Sequence, residues 1–404
     1  MKKPILVQKF GGTSVMTTGR IRDMARLVVR SMERYRVVVV VSAMGKTTDS
    51  LVSMGSEVAH CPDHRELDVL LSTGEQITIS LMALAIKGLG AKAVSLTGYQ
   101  ADILTDSTFG KARILNIDPN RICSHLDSGS AVVVAGFQGR DMHGNVTTLG
   151  RGGSDTTAVA LAAVLGAEMC EVYTDVDGVH TADPRIVPEA MRITRIGYEE
   201  MIEMAGLGGS VMYHRAVDWA HRHGVLINVR SSFIDGGGTI IGEVDEVERP
   251  MVTAVTHTFD EARVSMISIP RGGSPAAQVF GALRNMAVSV DMITMNSRAD
   301  GTIDLSFTLP KGDLATIIQS IQETGKVIGA REVKFETDLG KVSIVGRGIM
   351  TSPEVPAAMF DALRELGIAV EMVSTSELRV TCVIGQKHVE EAVRALHRRF
   401  FVTG

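Results

Sequence analysis

Short apolar runs alternate along the first 245 residues with segments whose apolar positions recur at helical spacing. The runs Ile5–Phe10, 37–41 and Ala131–Ala135 are almost free of charge, and two of them are rich in valine. Such runs are typical of strands buried on both faces of a parallel sheet. Between the first two, residues 21–35 carry apolar side chains along one helix face. The alternation predicts an α/β sandwich with a mostly parallel sheet.

The first predicted strand ends in a lysine, two glycines and two hydroxyl residues. The predicted strand Ile5–Phe10 ends in Lys9 and Phe10, and Gly11 and Gly12 follow it directly. Ligands of α/β sheets collect at the carboxyl ends of the strands, and glycines let backbone amides approach an anion. The spacing differs from that of a P-loop. We therefore expect a phosphate site of another type.

Two further stretches have both a structural and a binding interpretation. Ser42 ends the second strand, and Thr48 with Asp49 opens the next segment, where these residues would contact a ligand or cap the helix. Glu75 stands just ahead of the apolar run 77–85. There its carboxylate would interact favourably with the helix dipole or bind a substrate ammonium. The spacing alone slightly favours the dipole interpretation.

The sequence GRGGSD forms a glycine-rich turn that runs into an alanine-rich helix. Gly152 lets backbone amides approach an anion, Ser154 is predicted to be the N-cap, and Asp155 falls in the first turn. A helix N-terminus attracts anions, and Arg151 adds a fork that suits a carboxylate or a phosphate. Gly166 is predicted to end the helix.

Composition limits the function classes. With 404 residues, two or three domains are expected, and 45% hydrophobic with 22% charged residues is typical of a soluble globular protein. A net charge of −5 gives no electrostatic reason to expect nucleic acid or a membrane as partner. The four cysteines show no metal or disulfide spacing, and we expect no resident metal, no signal peptide, no membrane span and a cytoplasmic location. No G-x-G-x-x-G follows the first strand, so a dinucleotide-dependent dehydrogenase is poorly supported.

The last third of the chain repeats itself. VSMI after Arg263 corresponds to VSIV after Lys341, and FGALR at 280–284 corresponds to FDALR at 360–364. Each copy is predicted to run strand, turn, helix, strand, strand, helix, which indicates a tandem duplication of a small α+β unit.

Five motifs together resemble the aspartate kinase family. They are KFGGTS at 9–14, VSAMG at 41–45, GE at 74–75, TLGRGGSD at 148–155 and TDVDGVHTADPR at 174–185, in the family's order and with similar spacing. The likeness extends over the whole chain, and the repeated units resemble ACT domains. The resemblance implies an amino-acid-kinase fold (an αβα sandwich) over 1–245, followed by two ferredoxin-like ACT domains at 262–335 and 341–404.

The resemblance implies transfer of the ATP γ-phosphoryl group, with Mg²⁺, to the β-carboxylate of L-aspartate. The product is 4-phospho-L-aspartate, which leads to diaminopimelate and lysine, threonine and methionine. A carboxylate is already ionised at neutral pH, so the difficulty is bringing an anion to a polyanion. Lys9 would neutralise the transferring phosphoryl group and Asp155 would orient Lys9. The resemblance puts the aspartate on Thr48, Glu75, Arg151, Gly152 and Ser154.

The same resemblance assigns a nucleotide site. It comprises Lys9, Gly11, Gly12, Ser42, Thr174, Asp175, His180, Asp183, Arg185 and Ser210. His180 replaces a tyrosine that is common in the family. Ser210 stands where many members carry a lysine, and a serine offers a hydrogen bond without a charge. This departure supports an alternative, a catalytically weak or inactive kinase-like amino-acid sensor. Another carboxylate or carbamate kinase is a further alternative.

The ACT resemblance implies feedback control by lysine, threonine or both, and a homodimer paired through these domains. It leaves open whether a separately made regulatory subunit joins the dimer. The effector residues it implies are Asp291, Asn296, Ser374 and Thr375. The turn motifs that are common in both ACT units are replaced here, so the effector itself stays open.

Overall fold

The computed structural model describes residues 2–208, 211–244, 251–286, 288, 290–349 and 351–402. The chain divides into two compact units. The N-terminal unit comprises Met1–His180 and Met191–Glu248, and the C-terminal unit comprises Thr181–Ala190 and Arg249–Gly404. The ten residues 181–190 thus group with the second unit, although they fall inside the continuous stretch 1–245 expected from the sequence.

The N-terminal unit alternates strands with helices. Its strands are β1 (Ile5–Phe10), β2 (Arg36–Val41), β3 (Ala93–Leu96), β4 (Ile103–Thr105), β5 (Ile114–Ile117), β6 (Ala131–Ala135), β7 (Gln138–Arg140), β8 (Val146–Thr148), β9 (Met169–Thr174), β10 (Arg195–Ile196), β11 (Ile227–Ser231) and β12 (Thr239–Ile241). Its helices are α1 (Thr18–Met32), α2 (Thr47–Val58), α3 (His64–Gly88), α4 (Asn120–Asp127), α5 (Gly153–Leu165), α6 (Tyr198–Gly206) and α7 (His214–His223).

The main sheet has eight strands in the order β10-β12-β11-β9-β1-β2-β6-β3, and its pairs are parallel except for β11 with β12. The expected mostly parallel sheet is confirmed. Neighbouring residues of a strand point to opposite faces. Phe10 therefore joins the core formed with α1 and α3, whereas Lys9 reaches Asp155 in α5. A smaller sheet has the order β5-β4-β7-β8.

Helix α3 departs from the expectation that no segment reaches membrane-spanning length. His64–Gly88 is long and apolar enough to cross a membrane by length and composition, but half of its most apolar window is buried inside the unit. The same helix buries Asp68 and Glu75. Both features are typical of a core helix of a folded domain.

The C-terminal unit contains the expected repeat. The first copy is β13 (Ala254–Ile269), α8 (Pro275–Asn285), β14 (Ile293–Ser297), β15 (Ile303–Pro310) and α9 (Lys311–Val327). The second copy is β16 (Glu332–Val345), α10 (Glu354–Glu365), β17 (Val370–Ser376), β18 (Arg379–Gly385) and α11 (Val389–Phe401), with a 3₁₀ turn at Gln386–His388. The strands form one sheet in the order β14-β15-β13-β16-β18-β17. The long antiparallel pair β13 and β16 joins the two copies.

Candidate active site

Four neighbouring parallel strands of the N-terminal unit end side by side. Phe10 at the end of β1 pairs in register with Val41 of β2 and Tyr173 of β9. Ala135 of β6 pairs with Val41 on the other side. The polar residues predicted after these strands therefore meet at one edge of the sheet, where α/β proteins bind their ligands.

Lys9 and Asp155 form an ion pair at this edge. The Lys9 Nζ lies 2.5 Å from Asp155 Oδ1, and the two side chains are only 11% and 12% exposed. A nearly buried pair attracts more strongly than a solvated one, so the carboxylate holds the Lys9 ammonium in place. The contact expected between these two residues is present in the structure.

The loops after β1 and β2 pack backbone against backbone. The Gly45 amide donates to the Gly12 carbonyl over 3.0 Å. A Cβ at Gly12 would lie 3.1 Å from the carbonyl oxygens of Ala43 and Gly45. Glycine at this position therefore allows the two loops to approach. The Ser42 amide also donates to the Phe10 carbonyl, which brings the second loop next to the first.

Glu75 lies inside α3 and not ahead of a helix, so the dipole interpretation is wrong. Its Oε1 accepts a hydrogen bond from the Ala43 amide over 2.9 Å, and the residue is 2% exposed. Its Oε2 is buried and has no hydrogen-bond partner among the described residues. Burial raises the pKa of Glu75 to about 7. The free oxygen is an acceptor that a substrate ammonium could satisfy.

Thr48 does not cap its helix, and that interpretation is wrong. Helix α2 begins at Thr47, its N-cap position is Lys46, and no side chain caps it. The Thr47 hydroxyl instead donates to the Met44 carbonyl over 2.6 Å. Thr48 is half-buried in the first turn, and Asp49 lies exposed beside it.

The prediction that Ser154 is the N-cap of α5 is also wrong. The helix begins at Gly153, and Gly152 is the N-cap in the left-handed conformation, with φ of 66°. A Cβ at Gly152 would lie 2.2 Å from Tyr213, so only glycine fits at this position. The helix thus begins one residue before Ser154. Ser154 lies in the first turn, close to Gly136 at the end of β6. The predicted end of the helix at Gly166 is confirmed.

Arg151 and Arg215 have contrasting positions around the glycine-rich turn. Arg151 is exposed in the turn, as a residue that meets a ligand from solvent would be. Arg215, in α7, donates to the carbonyls of Ala112 over 3.0 Å and Leu149 over 3.4 Å. Nothing in the local sequence of α7 indicates which carbonyls an arginine will reach.

The nucleotide residues implied by the resemblance are distributed over both units. Thr174 ends β9, and its hydroxyl donates to Asp175 over 3.0 Å. His180 Nε2 lies 3.2 Å from Asp177. Asp183 and Arg185 are in the segment that groups with the C-terminal unit, where they pair with each other over 2.7 Å. Ser210 lies outside the described residues.

The implied effector residues are spread over the C-terminal sheet. Asp291 lies 2.5 Å from Lys341 Nζ and 3.6 Å from Arg379. Asn296 is exposed on β14, and Ser374 and Thr375 are on β17. Strands β14 and β17 are the two opposite edges of the sheet. Asn296 on β14 therefore does not cluster with Ser374 and Thr375 on β17 within this chain.

Comparison with known proteins agrees with this architecture. Residues 4–231 match the model of the amino acid kinase family, and residues 342–400 match an ACT domain model. An aspartokinase from Pseudomonas aeruginosa is 47% identical over 400 residues, which cover 98% of this chain and 97% of the relative. An aspartokinase from a Bacillus species is 46% identical, with 99% and 98% covered.

Solved structures give the same result. E. coli aspartokinase III in complex with aspartate and ADP superposes with a TM-score of 0.85 at 25% identity, covering 98% of this chain and 100% of that one. The same enzyme in complex with lysine and aspartate gives a TM-score of 0.77 at 25% identity, with 98% and 99% covered.

Proposed function

Because the chain belongs to the aspartokinase family and is an aspartate kinase with a C-terminal ACT region, we propose which of its residues bind ATP, bind aspartate and assist phosphoryl transfer. The γ-phosphoryl group of ATP is transferred to the β-carboxylate of L-aspartate, which gives 4-phospho-L-aspartate and releases ADP. The nucleophile is already an anion, so the protein must supply positive charge and alignment. The 2.5 Å ion pair of Lys9 with Asp155 carries this proposal, because it holds a cation at the strand ends.

Lys9 neutralises the phosphoryl oxygens as charge moves during transfer, and Asp155 holds its ammonium in place. Preorganised cations act more strongly when water is excluded, and both side chains are nearly buried. The backbone amides of Gly11 and Gly12 bind phosphate oxygens from the same loop. The rest of the nucleotide is contacted by Ser42, Thr174, Asp175 and His180. The contributions of Asp183, Arg185 and Ser210 stay predictions.

Aspartate binds between the α3 carboxylate and the glycine-rich turn. The unpartnered Oε2 of Glu75 receives the substrate ammonium. Thr48 is the second residue that we assign to the amino-acid end of the substrate. Arg151 pairs with the α-carboxylate in bidentate fashion, and the N-terminus of α5 at Gly152 and Ser154 adds amide donors. These contacts fix the β-carboxylate for in-line attack.

Mg²⁺ would be bound together with the nucleotide. Among the described residues, no group of three or more His, Cys, Asp or Glu side chains is arranged to hold a metal ion. Asp155, the carboxylate that pairs with Lys9 at the strand ends, is already occupied by that ion pair. Mg²⁺ keeps several waters and commonly binds through substrate phosphates, which fits a site without a dedicated carboxylate cage. When bound, the ion neutralises phosphate charge.

The ACT region makes the enzyme a target of feedback control. The lysine complex of the similar E. coli enzyme supports an amino-acid effector, lysine or threonine, for this chain. Asp291, Asn296, Ser374 and Thr375 are the residues we propose for it. The homodimer, a separate regulatory subunit and the cytoplasmic location stay predictions. Millimolar lysine and threonine should alter activity or melting temperature, and no effect of either would remove this part of the proposal.

Hydroxylamine trapping tests the reaction itself. The wild-type chain with ATP and Mg²⁺ should form an acyl hydroxamate from L-aspartate and far less from L-glutamate. Product from glutamate alone would indicate another carboxylate kinase. No product from either amino acid, together with measurable lysine or threonine binding, would indicate an amino-acid sensor without kinase activity.

A further inference from the structure

Helix α3 carries a second buried carboxylate, two turns before Glu75. Asp68 is fully buried and lies seven positions before Glu75, so both lie on the same helix face about 10 Å apart along the axis. Glu75 binds the loop after β2, through the Ala43 amide. Asp68 points to a different loop system and has no role in the reaction described above.

The Asp68 carboxylate accepts hydrogen bonds from two separate backbone segments. Thr148, the last residue of β8, donates from its amide to Oδ2 over 2.8 Å and from its hydroxyl to Oδ1 over 2.6 Å. The Gly110 amide lies 3.0 Å from both carboxylate oxygens. Burial raises the pKa of Asp68, but three donors converge on it and favour the charged form.

Both segments lead directly to the glycine-rich turn. Thr148 is two residues before Gly150, which adopts a left-handed conformation with φ of 74°. The Gly110 carbonyl packs so closely against Gly150 that a Cβ there would lie 2.9 Å from it. The Ala112 amide also donates to the Thr148 carbonyl over 2.9 Å. Asp68 therefore fixes the strand that enters the turn and the loop that packs against it.

From this geometry we propose that Asp68 is a positioning residue for aspartate binding, which sets the turn that presents Arg151 to the substrate α-carboxylate. Helix α3 then holds both sides of the aspartate site, one through Glu75 and Ala43 and the other through Asp68 and Thr148. The inference rests on the proposed function only in that Arg151 binds aspartate. A buried acceptor that binds two loops at once has the rigidity that such a clamp requires.

Steady-state kinetics of the full-length chain tests the proposal. Asp68→Asn keeps the size of the side chain but replaces one acceptor oxygen by a donor that faces an N–H or O–H group. We expect the KM for aspartate to rise about tenfold or more, while the KM for ATP stays within about twofold. An equal rise in both KM values, or an unchanged KM for aspartate in a folded variant, would overturn the proposal.

A second pair of variants keeps the test valid if Asp68→Asn does not fold. Thr148→Val removes the hydroxyl donor but keeps the backbone amide, so the KM for aspartate should rise several-fold. Thr148→Ser keeps the hydroxyl donor, so its KM for aspartate should stay within about twofold of the wild-type value. Equal KM values for the valine and serine variants would contradict the role of this hydrogen bond.

Asp141→Asn is a matched control. Asp141 is also buried, and it accepts from the amides of His143 and Asn145 in the turn between β7 and β8 and from the Ser107 hydroxyl. The loss of these bonds should lower the melting temperature without changing the ratio of the two KM values. Wild-type protein that lacks kinase activity would reject the proposed function, whereas active protein with an unchanged Asp68→Asn profile would reject only this inference.

Discussion

The Lys9 ammonium lies 2.5 Å from the Asp155 carboxylate, although the two residues come from different elements 146 positions apart in sequence. Lys9 is the second-last residue of β1, and Asp155 lies in the first turn of α5. The lysine points to the face of the sheet that α5 covers, because it alternates with Phe10 on the opposite face. The fold thus brings the Lys9 ammonium to the strand ends and supplies the carboxylate that orients it.

Replacing Asp155 by asparagine should separate orientation from folding. The variant keeps the shape of the side chain but loses the charge that holds Lys9, so we expect kcat to fall about 100-fold or more. The KM for aspartate should change less, because Asp155 contacts Lys9 and not the amino acid. Circular dichroism with steady-state kinetics would measure both. A folded Asp155→Asn enzyme with wild-type kcat would contradict the role.

The raised pKa of Glu75 predicts a pH dependence of substrate capture. Burial brings the pKa to about 7, so the carboxylate that receives the ammonium is progressively protonated below that pH. kcat/KM for aspartate should therefore fall as the pH drops from 8 to 6. Glu75→Gln should give a low kcat/KM without this limb of the profile. A wild-type limb that persists in Glu75→Gln would assign it to another group.

The raised pKa of Glu75 also affects stability, but here the lower pH is the favourable one. The folded pKa of Glu75 lies above the ordinary value of 4.5, so the folded state binds the proton more tightly than the unfolded chain. The stabilisation of the folded state by this proton is complete below about pH 4.5 and is lost as the pH rises through about 7. Urea unfolding of wild type and Glu75→Gln should show a smaller pH dependence over this window in the variant. An identical dependence in both proteins would contradict the buried, ionising carboxylate.

Glycine at position 152 should be required for a steric reason beyond its backbone conformation. Gly152 and Gly224 have nearly equal φ values of 66° and 64°, but a Cβ would lie 2.2 Å from Tyr213 at Gly152 and would meet open space at Gly224. Gly224→Ala should lose about 1 kcal/mol from the left-handed backbone alone. Gly152→Ala should lose about 2–5 kcal/mol, because overpacking adds to the same strain. Equal losses in thermal unfolding would contradict the close contact.

The two repeats of the C-terminal unit are joined by reciprocal ion pairs. Lys341 of the second copy lies 2.5 Å from Asp291 of the first, and Arg263 of the first lies 3.1 Å from Glu371 of the second. Lys341 also binds Glu261 over 2.7 Å, and both of these side chains are nearly buried. Burial raises the pKa of Glu261 to about 7.

Lys341→Met should therefore destabilise the C-terminal unit by about 3–5 kcal/mol, because it leaves two acids without their shared cation. The loss should be larger at pH 8 than at pH 5, where Glu261 can take up a proton. Arg263→Met is the matched control, and it should cost less because Glu336 and Glu371 are 42% and 40% exposed. Equal losses in chemical unfolding at both pH values would contradict this account.

Much of this site could be predicted from the sequence because each motif follows a strand that its own residues identify. The run at 37–41 and the alternation of strands and helices predict the sheet, and chain order then brings Lys9 and Ser42 to one edge. The pairing of Asp155 with Lys9 follows from the family resemblance and not from the local pattern. The repeat in the last third likewise predicts the order of its elements.

The remaining features depend on contacts between distant segments. The left-handed N-cap at Gly152 reflects its packing against Tyr213, so the local preference of Ser154 for a cap is misleading. Arg215 and Asp68 bind backbone groups that no local pattern identifies. The seven-residue spacing of Asp68 and Glu75 on one helix is a usable signal for a shared face. The grouping of 181–190 with the C-terminal unit has no such signal.

A double-mutant cycle on kcat tests the central claim, that Lys9 and Asp155 act as one unit in phosphoryl transfer. Lys9→Ala, Asp155→Ala and the double variant would be compared at saturating ATP and aspartate by hydroxamate formation. Each single variant should lose about 100-fold or more, and the double variant should be no slower than the worse single one. Losses that multiply in the double variant would show independent roles and contradict the account.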